Sequence, residues 1–122
     1  MAEPYSLAGK HVLITGAGSG IGRLMALGAA RRGATHLVLW DLNLPAAKTV
    51  ASEVKALGAS ALAMSVDVSK KAPVTTAAAK VLDKVGHLDV LINNAGVVSG
   101  KHFLEIEEKD ISLTYAVNTF AL

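Results

Sequence analysis

Thr15-Gly16-Ala17-Gly18-Ser19-Gly20-Ile21-Gly22 is the stretch whose reading decides the fold. The residues before it, His11 to Thr15 (HVLIT), form a short apolar run that predicts a strand. The residues after it change period. From Gly20 to Arg32 the apolar positions Ile21, Leu24, Met25, Gly28 and Ala29 fall on one helical face, and Gly33 supplies the stop. A strand, a glycine-rich turn and a helix in that order suit a pyrophosphate. Its oxygens need backbone N–H groups with no side chain in the way, and the helix N-terminus adds a positive dipole end. The expected contacts are Gly16, Ser19, Gly20, Ile21 and Gly22. No Gly-Lys-Ser/Thr follows, so the turn is not a Walker loop.

Working outward, strand and helix alternate four times. His36 to Trp40 (HLVLW) reads as a second strand closed by Asp41. A helix follows, with Pro45 in its first turn, the stripe Ala47, Val50, Ala51, Val54 and Leu57, and Gly58 at its end. Ala61 to Val66 predicts a third strand. Asp67 and Ser69 precede a helix striped by Val74, Ala77, Ala78, Val81 and Leu82, with Gly86 as its stop. Leu88 to Ile92 predicts a fourth strand with Asp89 as its one charge. A loop from Asn93 to about His102 leads to a last helix from about Glu107. Strands separated by helices of this length imply right-handed βαβ crossovers. The expected fold is α/β, a Rossmann-type doubly wound parallel sheet represented by its first four βα units. Residues 1–122 read as one dinucleotide-binding domain portion that breaks off inside the helix holding Asn118, with the later strands absent.

Composition agrees. Hydrophobic residues make up 52% of the 122 and charged residues 18%, as suits a sheet buried on both faces. A net charge of +2 without a basic cluster argues against nucleic acid. Arg31-Arg32 and Lys70-Lys71 read as solvated helix faces. The absence of cysteine excludes disulfides and thiolate metal sites. His11, His36, His87 and His102 show no metal-ligand spacing and read as surface or strand-end histidines, so no metal is expected. No leader pattern and no apolar run of membrane-spanning length is legible, and the expectation is a soluble cytoplasmic protein.

Asp41 falls 19 residues after Gly22 (41 − 22). A carboxylate at that strand end can accept hydrogen bonds from the adenosine ribose hydroxyls and would repel a 2′-phosphate. Neither Ser19, Leu42 nor Asn43 offers a compensating positive charge. NAD is therefore expected over NADP, the alternative for Asp41 being a strand-end cap. Asp67 can accept from the adenine amino group or cap the next helix. Ser69 is the better cap, which would leave Asp67 free. Asn93 is expected to tie neighbouring strands. Asn94, Ala95 and Gly96 would meet a ribose, because neither Ala95 nor Gly96 projects bulk. Asn118 shares a helix face with Ile111, Thr114 and Tyr115, where an asparagine is ordinarily satisfied by backbone.

The octet TGAGSGIG resembles the turn of the short-chain dehydrogenase/reductase family. Asp67-Val68 looks like the family's adenine-contacting acidic-apolar pair. Asn93-Asn94-Ala95-Gly96 is similar to its NNAG motif, and Asn118 to the asparagine of its catalytic tetrad. The motifs run in the family's order over essentially the whole chain. Leu39-Trp40-Asp41 and Val117 to Ala121 look like the retinol and hydroxysteroid dehydrogenase branch, which implies a hydrophobic alcohol or ketone as substrate. The resemblance implies an NAD(P)-dependent interconversion of alcohol and carbonyl, an Asn118 whose main chain positions a water in a proton relay, and a homo-oligomer built through later helices.

That chemistry also needs a serine and a Tyr-x-x-x-Lys pair, in which the lysine lowers the phenol's pKa. Tyr5 is followed by Lys10, one position too far, and Tyr115 by Thr119. The family would place the three residues beyond Leu122. The expectations are that these 122 residues alone do not transfer hydride, and that the fourth strand is left as an exposed apolar edge. A catalytically inactive NAD-binding module, or a structural fragment that pairs with a second chain, are the alternatives to an enzyme.

Overall fold

The computed structural model describes residues 5–122. Residues 1–4, on which the reading of the N-terminus partly rests, lie outside the described residues. The element order is β1 (His11–Thr15), α1 (Gly20–Arg31), β2 (His36–Asp41), α2 (Leu44–Ala56), β3 (Ser60–Ser65), α3 (Lys71–Val85), β4 (Val90–Ile92) and α4 (Glu108–Asn118), with a 3-10 turn at Phe103–Glu105. The four strands form one parallel sheet in the order β3-β2-β1-β4. This is the expected doubly wound arrangement. The order reverses direction between β1 and β4, the place where such sheets open a crevice beyond their carboxyl ends.

Each central strand is buried on both faces, which is why it reads as an unbroken apolar run. Val12, Ile14, Leu37 and Leu39 pack with residues of α1 and α2, while Leu13, Val38 and Trp40 pack against α3. Fully burying one such aliphatic side chain contributes about 1.5–3 kcal/mol. Positive-φ glycines follow α1 and α2 (Gly33 and Gly58) and end α3 (Gly86), as the sequence predicts. Asn43 caps α2 by accepting from Ala46 N–H at 3.1 Å. At α4 a reciprocal capping box joins Glu107 and Asp110, and Lys101 donates to Asp110 at 2.7 Å. These contacts tie the long loop after β4 to the last helix.

Several expectations shift. α1 turns a different face to the sheet: Gly22, Ala26, Leu27, Ala29 and Ala30 are buried, whereas Ile21 is 71% and Leu24 61% exposed. Small residues let the helix axis approach the strands closely. The bulky residues of the face read from sequence, Ile21, Leu24 and Met25, instead form with Leu7 and Ile92 an open apolar groove. Leu82 of α3 is also exposed, beside the equally exposed Leu91 of β4. In α4 Ile111 and Tyr115 are exposed and only Val117 is buried. β3 begins and ends one residue earlier than expected, and β4 is shorter. Asp89 lies before it rather than within it: its N–H donates to the His11 carbonyl at 2.9 Å, and its carboxylate accepts from His11 N–H at 2.8 Å. Among the described residues β4 pairs only with β1, so its other edge is open, as anticipated. No helix among the described residues is long and apolar enough to cross a membrane.

Candidate functional site

The crevice at the carboxyl ends of β1, β2, β3 and β4 encloses about 390 Å³. Gly16, Ser19, Gly20, Ile21, Gly22, Asp41, Asp67, Val68, Asn94, Ala95 and Gly96 all line it. Every residue proposed for the cofactor from sequence is thus brought to one cleft. Asn118 does not line it, although its neighbour Val117 does.

The turn is built for a close approach. Gly16 and Gly20 adopt positive φ, 65° and 51°. A methyl group on Gly22 would collide with the Gly16 carbonyl oxygen and lie 2.7 Å from Asn94 Nδ2. Ser19 at the N-cap of α1 makes no side-chain hydrogen bond, and the first turn holds no acidic residue. The positive end of the helix therefore faces the cleft uncompensated.

Asp41 is oriented by two backbone donors. Gly18 N–H donates to Oδ2 at 2.8 Å and Asn43 N–H to Oδ1 at 2.9 Å. An ionised carboxylate has about four acceptor positions, so each oxygen keeps one free. Gly18 makes this possible, because a Cβ there would stand 2.9 Å from Oδ2. Its role was not read from sequence, where it passed as one more glycine of the turn.

Thr15 and Asn94 join the turn to the end of β4. Thr15, the one buried polar residue among the described residues, accepts at Oγ1 from the N–H groups of Asn94 and Ala95, both at 3.0 Å. Asn94 Nδ2 donates to the Thr15 carbonyl at 3.0 Å and to that of Gly16 at 3.3 Å. The strand tie expected of Asn93 is thus made by Asn94, and Asn93 is exposed. Alternation along the strand turns Asn94 toward the glycine turn and Asn93 to the opposite face, beside Leu13 and Val81. Thr15 was missed as well; its signal was a hydroxyl ending an otherwise apolar strand. Trp40, Leu42, Val66, Val97 and Val117 complete the lining, and as ordinary apolar residues they carried no local signal.

Asp67 is not free. Its Oδ1 accepts from the Ser69 hydroxyl at 2.5 Å and from Ser69 N–H at 3.0 Å, and Lys70 Nζ stands 3.5 Å from Oδ2. Ser69 therefore serves Asp67 instead of capping α3, whose N-cap is Lys70 with no side-chain bond. The Ser69 hydroxyl, with help from its N–H and from Lys70 and against partial burial, holds the Asp67 carboxyl below its ordinary range. Because the folded carboxyl titrates below the unfolded one, its contribution to stability is complete at neutral pH and is lost only as acid passes through the lowered value. Ser69→Ala should move the carboxyl back up, which a carboxyl-carbon NMR titration would read. An unchanged titration would show that the Ser69 hydroxyl is not the cause.

Asn118 is held by two bonds to one residue. Its Oδ1 accepts from Val97 N–H at 2.8 Å and its Nδ2 donates to the Val97 carbonyl at 2.9 Å. The side chain is satisfied by backbone, and the pair fixes the end of α4 against the segment following Gly96.

The profile described as short chain dehydrogenase matches residues 10–122. The chain belongs to the short chain dehydrogenase family. It is 43% identical over 116 residues to mouse estradiol 17-beta-dehydrogenase 11, covering 95% of this chain and 39% of that protein. Human epidermal retinol dehydrogenase 2 is 43% identical over 114 residues, covering 93% and 37%. These relatives bear out the retinol and hydroxysteroid branch. The chain spans about two fifths of their length, 39% and 37%. Among solved members, a Burkholderia phymatum short chain dehydrogenase/reductase in complex with NAD superposes with a TM-score of 0.88 at 35% identity, covering 97% of this chain and 42% of the other. A metagenomic short-chain oxidoreductase in complex with NADP gives 0.85 at 32%, covering 96% and 53%. The family's Rossmann-type fold thus serves either nicotinamide dinucleotide.

Proposed function

We propose that this short chain dehydrogenase chain is the cofactor-binding portion, residues 1–122, of an NAD-dependent oxidoreductase that interconverts a hydrophobic alcohol and its carbonyl. The observation that carries the reading is the convergence of the glycine turn, Asp41, Asp67-Val68 and Asn94 to Gly96 on one cleft. The residues fit a dinucleotide. The free N–H groups at the start of α1 suit the pyrophosphate, and the close packing at Gly22, which leaves no room for a methyl, holds the turn closed beneath it. The open acceptor positions of Asp41 suit ribose hydroxyls, and its charge disfavours a 2′-phosphate. Asp67 keeps Oδ2 for an adenine amino group, in competition with Lys70. Ala95 and Gly96 leave room for the second ribose. When bound, the nicotinamide ring supplies the hydride acceptor or donor.

Asn118 is a positioning residue in this account. With its side chain held by Val97, its main chain is fixed where the family resemblance places a proton-relay water. The hydrophobic substrate is supported by the named activities of the estradiol and retinol relatives. A homo-oligomer belongs to the same proposal and rests on the resemblance alone.

The 122 residues contain no Tyr-x-x-x-Lys pair. This chain by itself is therefore expected to bind the cofactor without turnover. NADH fluorescence should change on titration with the chain, while absorbance of NADH mixed with a ketone should stay constant. Steady oxidation of NADH would refute the assignment of the acid/base chemistry to residues outside the chain.

A further inference from the structure

At the opposite end of the sheet from the cleft, three chain segments bring imidazoles together. His11 opens β1, His36 opens β2, and His87 precedes β4. The His11 ring lies 4.2 Å from that of His87 and 4.8 Å from that of His36, centroid to centroid. Asp89 joins them, with Oδ2 3.4 Å from His87 Nε2. One ligand-type atom from each of His11, His87 and Asp89 falls within 4.8 Å of the others.

We infer that His11, His87 and Asp89 form a binding site for a borderline divalent transition ion, with Zn²⁺ as its probe. Two features favour ligation once the His11 and His87 rings, stacked 27° from parallel, turn their lone pairs toward one point. His11 Nδ1 faces the His87 carbonyl oxygen at 3.2 Å, and a carbonyl only accepts, so Nδ1 carries the proton. The Nε2 lone pair is left free, and such a backbone bond to the other ring nitrogen is how ligating histidines are ordinarily oriented. Asp89 is likewise fixed, since its Oδ2 accepts from His11 N–H at 2.8 Å. Lys10, with Nζ 3.7 Å from Oδ1, is the one lysine or arginine that pairs with this carboxylate among the described residues. The neighbouring His36 has a buried Nδ1 with no hydrogen-bond partner, so the patch already holds an unsatisfied nitrogen. Two imidazoles and a carboxylate suit zinc, leaving a fourth position for water. Magnesium and calcium, which take oxygen ligands, do not match this set. The ion would clasp the start of β1 to the segment entering β4 and stabilise the folded chain.

The test is calorimetric titration of the tag-free protein with Zn²⁺ near neutral pH, alongside thermal melting. One ion per chain and a raised melting midpoint are expected. His87 is largely exposed, so His87→Ala should fold normally yet bind at least about tenfold more weakly, because even partners that only orient a ligand are worth that much. Asp89→Asn, which retains an acceptor for His11 N–H, should also weaken binding. His102→Ala, remote in sequence and outside the cluster, should not. Absence of binding, or equal binding by the wild type and His87→Ala, would overturn the inference. The cluster is remote from Gly16 and Asp41, so either result leaves the dinucleotide reading unaffected.

Discussion

Gly22→Ala should destabilise the protein by about 2–3 kcal/mol and weaken NAD binding by roughly a hundredfold. The added methyl has nowhere to go. It overlaps the Gly16 carbonyl oxygen and crowds Asn94 Nδ2 at 2.7 Å, and both neighbours are themselves committed. Asn94 Nδ2 donates to the Thr15 and Gly16 carbonyls, so moving it breaks the tie between β1 and β4. Moving Gly16 shifts the turn whose N–H groups would meet the pyrophosphate, and an ångström of misplacement is enough to lose most of an oriented interaction. The control lies in the same helix. A methyl on Gly28 meets only the mobile Arg32 Nη1, at 3.2 Å. Gly28→Ala should therefore be neutral or stabilising by about 0.5–1 kcal/mol through helix propensity. A large loss at Gly22 and none at Gly28, six residues apart, read by melting and NAD titration, are the expected outcome. Equal effects would show that the contacts of Gly22 are not what matters.

The second large effect belongs to Asp41. Asp41→Asn keeps the shape of the side chain but removes the charge and one acceptor. Hydrogen bonds to a charged group are worth about 1.5–3 kcal/mol, so NAD affinity should fall by roughly ten- to a hundredfold. NADP affinity should fall less or rise, since the repulsion of its 2′-phosphate goes with the charge. The ratio of the two affinities is the sensitive readout. A general loss of folding lowers both alike, whereas removal of discrimination changes the ratio. That ratio should also shrink with added salt in the wild type, because the repulsion is screened. A variant that retains the wild-type ratio would assign the discrimination elsewhere in the cleft.

The fold was legible in the sequence wherever backbone necessity and hydrophobic period pointed the same way. The strand before the glycine turn, the stops at Gly33, Gly58 and Gly86, and Asp41 at a strand end follow from local chemistry alone. The facing of α1 did not. Hydrophobicity ranks Ile21 and Leu24 above Gly22 and Ala26, yet close helix-to-sheet packing selects the small residues. The distinction between Asn93 and Asn94 depends on which face of the sheet the glycine turn closes over, a tertiary fact without a local signature. Thr15 and Gly18 act through partners 80 and 23 residues distant in sequence, Ala95 and Asp41. The histidine cluster was invisible for the same reason. Its members are spread over three segments with no ligand spacing, and only the parallel registration of β1, β2 and β4 brings them together.

Asp41 and the glycine turn are proposed to make this cleft a site for NAD in preference to NADP. Side-by-side calorimetric titration of the folded protein with NAD⁺ and NADP⁺ at low salt tests it most directly. Saturable binding of NAD⁺ and at least about tenfold weaker binding of NADP⁺, a difference of roughly 1.4 kcal/mol, are expected. Equal or tighter binding of NADP⁺, or no binding of either by protein with an intact melting transition, would contradict it.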